Sequence, residues 1–212
     1  MQSARPLLAH GWVLSCDSGV SETLVRQFIR PVIRAVPSSM ARRLGHCRIS
    51  LLSQIEAGIT SRWSDIAAGL DISVAATGLE DHDIAIELLV CLGQALWERL
   101  SPPEVRVYWK ILRHEIDSGI EGEIDEQALD EKRFLFGSRP NANSGEHLER
   151  YGRASFAGTV AEYVHCLWHD VSIRRGPDYL PAEPLRRRLE LIARWFRPDR
   201  GYRLFPPRRG TG

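Results

Sequence analysis

The four cysteines of this chain (Cys16, Cys47, Cys91, Cys166) contain no CxxC pair. Zinc-ribbon spacing and a dithiol redox motif are therefore excluded. Cys47, Cys91 and Cys166 lie inside apolar segments, the setting of buried, reduced thiols. No apolar run approaches the roughly 18 residues of a membrane span, and no internal repeat or low-complexity tract is present. An excess of one charge is also missing. Lys and Arg number 28 against 27 Asp and Glu, a net charge of +1, and this balance calls for neither nucleic acid nor an anionic membrane as partner. The stretch PLLAHGWVLSC ends in Val13-Leu14-Ser15-Cys16, the outline of a lipoprotein cleavage site, but His10 and Gly11 interrupt its apolar part. A cytoplasmic chain is the expectation, with lipidation at Cys16 as the alternative.

What is present is enough apolar material, 43% of 212 residues, for one large core. Residues 1–20 lack periodicity and read as a loosely held arm. Ser21 opens an amphipathic helix through LVRQFIRPVIRAV, which Pro31 should kink. A short helical piece, SSMARRLG, follows. His46 to Ser53, Ile59 to Trp63 and Leu70 to Ala76 read as three short strands, with turns at Glu56-Ala57-Gly58 and Ala68-Gly69. Strands in immediate succession make an antiparallel or mixed sheet, not repeated βαβ units.

Glu80 to Leu100 is a helix apolar almost all round, the mark of a buried one. Ser101-Pro102-Pro103-Glu104 has the signature of a capped helix start. Residues 120–150 are acidic and then polar, with one helix over Asp125 to Phe136 and a loop GSRPNANSGE. They read as an insertion and as the most mobile segment. Arg150 to Val171 is a second buried helix. After Gly176-Pro177, Pro184 starts a closing amphipathic helix, PLRRRLELIARWF. Residues 197–212 form a basic tail with aromatics, read as a solvated terminus. The expected fold is α+β and helix-rich: a small antiparallel or mixed sheet packed on two buried helices, in one domain over residues 21–196.

Each buried helix carries a thin polar stripe. On the first, Glu87, Cys91, Gln94 and Glu98 share a face at ~100° per residue, with Asp83 at the upper end. On the second, Ser155, Glu162, Cys166 and His169 form a stripe with His165 at its edge. Glu162 and His165 are three apart and His165 and His169 four apart, spacings that place side chains on one helical face. Unpaired buried polar groups are costly, so the stripes either satisfy one another and lock the helices together, or line a site. Stripe-to-stripe packing would set Glu87, Cys91 and Gln94 against Glu162, His165 and His169. The other histidines (His10, His46, His82, His114, His147) stand singly and read as structural or exposed.

The segment LVCLGQALW (Leu89–Trp97) resembles the active-site helix of zincin metallopeptidases, whose HExxH motif often stands in a string such as HELGHALW. On that match Val90 takes the first histidine-ligand position, Cys91 the general base and Gln94 the second ligand. Leu92, Gly93, Ala95, Leu96 and Trp97 agree. AGTVAEYVHCLW resembles the glutamate-ligand helix of minimal, lethal-factor-like zincins, with Glu162 at the ligand position. The order of elements over residues 22–196 agrees as well, including the closing helix after a Leu-Pro turn. The resemblance implies a zincin-like fold with a degenerate motif. Catalytic zinc needs three protein ligands and an open water position, and only Glu162 remains.

The expectation is a pseudoenzyme that binds a protein or peptide ligand in the old cleft, with Glu87, Cys91 and Gln94 as cleft candidates and no cofactor. Two alternatives stand beside it. One is an active metal-dependent hydrolase with a rebuilt site of Glu162, His165, His169 and Cys91, for which zinc is the metal. The other is a structural helical domain unrelated to zincins.

Overall fold

A computed structural model describes residues 5–6, 9–56, 58–67, 69–137, 144–169 and 176–205. The fold is α+β. One mixed sheet has strand order β1-β2-β3-β5-β4, from β1 (Arg5–Pro6), β2 (Val13–Cys16), β3 (His46–Leu52), β4 (Ser61–Ile66) and β5 (Gly69–Ala75). β2, β3 and β5 run parallel, and the two outer strands are antiparallel to their neighbours. Alternation drives the central pair. Cys47, Ile49 and Leu51 are buried on β3 and pair in register with Leu70, Ile72 and Val74, buried on β5, so one face of the sheet enters the core. Gly69 is required at the start of β5, because a Cβ there would lie 1.8 Å from the His46 carbonyl oxygen.

Strand β2 fastens residues 13–16, part of the stretch read as a loose arm, to the sheet beside β3. Trp12 and Leu14 are buried, and the Trp12 indole N–H donates to the Gly45 carbonyl at 3.0 Å. Four residues with one buried aliphatic carry too little alternation to register as a strand. Pro31 is accommodated differently from the expected kink. The chain passes from α1 (Glu22–Leu24) through a π turn (Val25–Ile29) into α2 (Arg30–Ala35), with the Arg30 N–H bonded to the Val25 carbonyl. One widened turn sits just ahead of the residue that lacks a donor.

The remaining helices are α3 (Ser38–Leu44), α4 (Asp81–Trp97), α5 (Pro102–Asp117), α6 (Glu126–Gly137), α7 (Ser144–Trp168) and α8 (Ala182–Trp195). α5 begins with the expected capping box between Ser101 and Glu104. α4 lies with β4 and β5 on one side and α7 on the other. α4 and α7 approach closely because Gly93 faces the Ala157 backbone, where an added Cβ would sit 2.7 Å from the Ala157 Cα. Among the described residues no helix is long and apolar enough to cross a membrane.

The described parts of the stretch 120–150, residues 120–137 and 144–150, are fastened to the core. Glu123, Ala128 and Lys132 are buried, and α6 packs along α7. The middle of its GSRPNANSGE loop (138–143) lies outside the described residues, as do Ala57 and Ala68 of the two expected turns, residues 170–171 of the second buried helix, and tail residues 206–212. The described start of the tail is held down, with Leu204 buried and Asp199 accepting from the Ser38 backbone N–H and hydroxyl.

A buried polar network ties four helices together. Arg188 of α8 has no exposed surface and donates to Glu115 of α5, to Glu123, and to Ser155 of α7 at 2.7 Å. Lys132 of α6 donates to Glu123 at 2.9 Å and Tyr151 of α7 donates to it at 2.6 Å. Tyr108 joins Ser155 and Thr159 at 3.1 and 2.9 Å. Two cations face two carboxylates, so the cluster is neutral and its charges are paired, the condition for keeping ions in a low-dielectric interior.

Candidate functional site

A cleft of about 360 Å³ opens between α4 and α7. α4 contributes His82, Asp83, Ile86, Glu87 and Val90, and α7 contributes Gly158, Ala161, Glu162 and His165. The segment 123–126 and the turn at Tyr179-Leu180 complete its wall. The α4 residues follow the i, i+3, i+4, i+7 spacing of one helical face. Asp125, just before α6, accepts the Ala128 backbone N–H at 3.2 Å. Burial raises the Asp125 carboxyl above the usual aspartate range, and the nearby Glu87 and Glu126 add to this against the backbone donors. Among the described residues lining the cleft, carboxylates stand with two histidines and without lysine or arginine.

The two stripes do not pack face to face as expected. Asp83 and Glu87 of the α4 stripe reach the cleft, and the Glu87 carboxylate accepts hydrogen bonds from Thr60 at 3.1 Å and Ser61 at 2.6 Å. Cys91 is buried and hydrogen-bonds Ser61; burial first, then the Glu87 charge, pushes its thiol up to about 11. The Gln94 carbonyl oxygen accepts from the Trp63 indole at 3.1 Å, and Glu98 pairs with Arg153 at 2.6 Å. The Gly93–Ala157 approach gives the α7 contact to the small-residue face of α4, while Glu87, Cys91 and Gln94 meet Ser61 and Trp63 of β4; Glu98 alone of the four pairs with α7.

The α7 stripe divides. Ser155 enters the buried network, and Glu162 faces the cleft. Cys166 donates to Glu162 Oε1 at 3.4 Å, and burial, followed by the Glu162 charge, raises its thiol. His165 Nδ1 lies 3.7 Å from Glu162 Oε2. His169, past the last residue of α7, packs against Trp168 with ring centroids 4.2 Å apart. The fit to a zincin metal centre can be tested at each matched position. Val90 and Glu162 share the cleft, but a valine side chain offers no donor and the Gln94 amide is engaged by Trp63. These residues do not fit a catalytic zinc, and no hydrolytic step follows from them. Cys91, turned toward Ser61, is separated from the cleft group Glu162 and His165. Among the described residues, no three or more His, Cys, Asp or Glu side chains are arranged as a ready ion-binding cluster.

His82 is a site residue that the sequence reading set aside. Its Nε2 lies 3.1 Å from His165 Nε2. The available signal was spacing: His82, Ile86 and Val90 are successive i, i+4 neighbours on the face that became the cleft wall.

Comparison with protein-family models, with curated proteins and with solved structures found no match to this chain.

Proposed function

We propose that this protein is a zincin-like pseudoenzyme that acts as a binding or regulatory protein and takes a protein or peptide segment into the cleft between α4 and α7. The observation that carries the reading is the shared cleft itself, walled by Val90 from one matched helix and Glu162 from the other. Hydrolysis by the family's chemistry needs three metal ligands and a base. Valine, cysteine and glutamine at three of those positions argue for binding without cleavage. The carboxylate-rich wall, with apolar Ile86 and Val90 at its centre, favours a segment bearing lysine or arginine next to an apolar residue.

Fluorescence anisotropy with labelled peptides tests this. Basic-apolar peptides should bind and acidic ones should not, and Asp83→Lys or Glu162→Lys should weaken binding by at least tenfold with an unchanged far-UV circular dichroism spectrum. Equal binding of both peptide classes would count against the reading. Release of new amino termini, lost in Glu162→Gln, would favour a metal-dependent hydrolase instead.

A further inference from the structure

We propose, resting on the reading of the cleft as a protein-binding groove, that its occupant is a second copy of this chain, which lays the basic outer ridge of α5 across the cleft mouth. Tyr108, Leu112 and Glu115 turn one side of α5 into the core. At ~100° per residue the opposite side carries Arg106, Lys110 and Arg113, all exposed. They line a surface hollow together with Trp109, His114 and Asp117. Other arginines of the surface, Arg43, Arg99, Arg133, Arg150 and Arg153, each meet a carboxylate of the same chain. Among the described residues no ion pair joins Arg106, Lys110 or Arg113 to one. Beside them stands Val107, 45% exposed.

The cleft complements this ridge in charge, spacing and apolar content. Asp83, Glu87, Asp125 and Glu126 stand in its wall, and its described residues include no lysine or arginine. Asp83 and Glu87 are four residues apart on α4, as Arg106 and Lys110 are on α5. A rise of 1.5 Å per residue sets each pair about 6 Å apart along its helix. Ile86 stands between the two carboxylates and Val107 between the two cations, so two ion pairs can flank one apolar contact. A carboxylate that already accepts a hydrogen bond keeps further acceptor sites, so Glu87 can hold Ser61 and still receive a cation. A volume of about 360 Å³ admits side chains and not a helix ~10 Å across. The α5 helix therefore lies over the opening with its long side chains inserted. Ridge and cleft are different faces of one molecule, so the contact is heterologous. The net charge of +1 leaves little overall repulsion between copies.

Sedimentation velocity of the full chain over a concentration series, at low and at high salt, tests this. The average mass should rise above the 24.0 kDa of one chain at low salt and return to it at high salt, because exposed charges are screened. Arg106→Ala with Lys110→Ala removes the ridge, and Asp83→Lys reverses the cleft rim. Each variant should weaken association about tenfold or more. All three positions are exposed, and circular dichroism checks that both variants fold. An equimolar mixture of the two should form a 1:1 dimer that grows no further, because one variant keeps the cleft and the other keeps the ridge. Association that survives in either variant, or a mixture that stays monomeric, would overturn this pair of faces. A parent that is monomeric at every concentration yet binds basic-apolar peptides would overturn self-association and leave the cleft reading standing; a parent that does neither would overturn both.

Discussion

Arg188 holds Glu123 with two parallel hydrogen bonds, Nη1 to Oε2 at 2.7 Å and Nη2 to Oε1 at 2.8 Å, where neither side chain has exposed surface. This planar fork is the geometry that distinguishes arginine from lysine. Removing it leaves Glu115 and Glu123 buried beside Lys132 alone. Arg188→Met should therefore destabilise the fold by about 3–5 kcal/mol, the cost of breaking a buried ion pair from one side. Urea unfolding of the two proteins measures it, and a loss below about 1 kcal/mol would contradict a dry, fully paired network.

The same carboxylate sets an acid dependence. Burial alone would raise the Glu123 pKa, but Arg188, Lys132 and the Tyr151 hydroxyl overcome it and hold the carboxyl down at about 2, below the ordinary 4.5. A depressed folded-state value contributes stability that is fully present above the unfolded value and is lost as pH falls from about 4.5 toward 2. The contribution is on the order of 3 kcal/mol. Glu123→Gln should be less stable at pH 7 and show a shallower loss between those limits. Parallel pH profiles for the two proteins would refute the assignment.

Gly93 sets two helix effects against each other. Alanine in a helix interior is favoured over glycine by roughly 1 kcal/mol. Here its Cβ would lie 2.7 Å from the Ala157 Cα and 2.8 Å from the Ala157 oxygen, both backbone atoms. Steric overlap should win, and Gly93→Ala should lower stability by about 1–3 kcal/mol. Thermal unfolding gives the sign, and a raised midpoint would mean that the helices separate at little cost.

Thiol labelling reports on the interior. Burial, against the partial opposition of Arg99, pushes the Cys47 thiol up to about 12, and burial also raises Cys91 and Cys166. A thiol reagent at pH 8 should label at most Cys16 rapidly in the native protein, and all four cysteines after denaturation. Rapid native labelling of Cys91 would show that β4 opens from α4.

Much of this architecture was legible from periodicity and caps. β3 and β5 announce themselves by alternation, α5 by its Ser-Pro-Pro-Glu start, and α4 and α7 by their apolar girth. The buried network was not, because charged residues read as solvated by default. The signal was nevertheless in the spacing. Arg188 sits at the helical interval between Leu185 and Ile192, Glu115 continues the Tyr108–Leu112 face, and Lys132 lies four residues after Ala128, so each charge occupies a core position of its own helix. At the cleft, the sequence identified Glu162 and His165 as polar groups on an inward face. It could not reveal that Cys91 and Gln94 turn toward β4, because that depends on which face of α4 meets α7.

The buried network also orders events in time. On a ribosome Glu115 and Glu123 emerge more than sixty residues before their guanidinium partner, so the nascent chain carries two acids that cannot leave water until α8 is made. Closure of the core therefore waits for the far end of the polypeptide, and a chain stalled before residue 188 should remain open and accessible to proteases however much of the sheet has already formed.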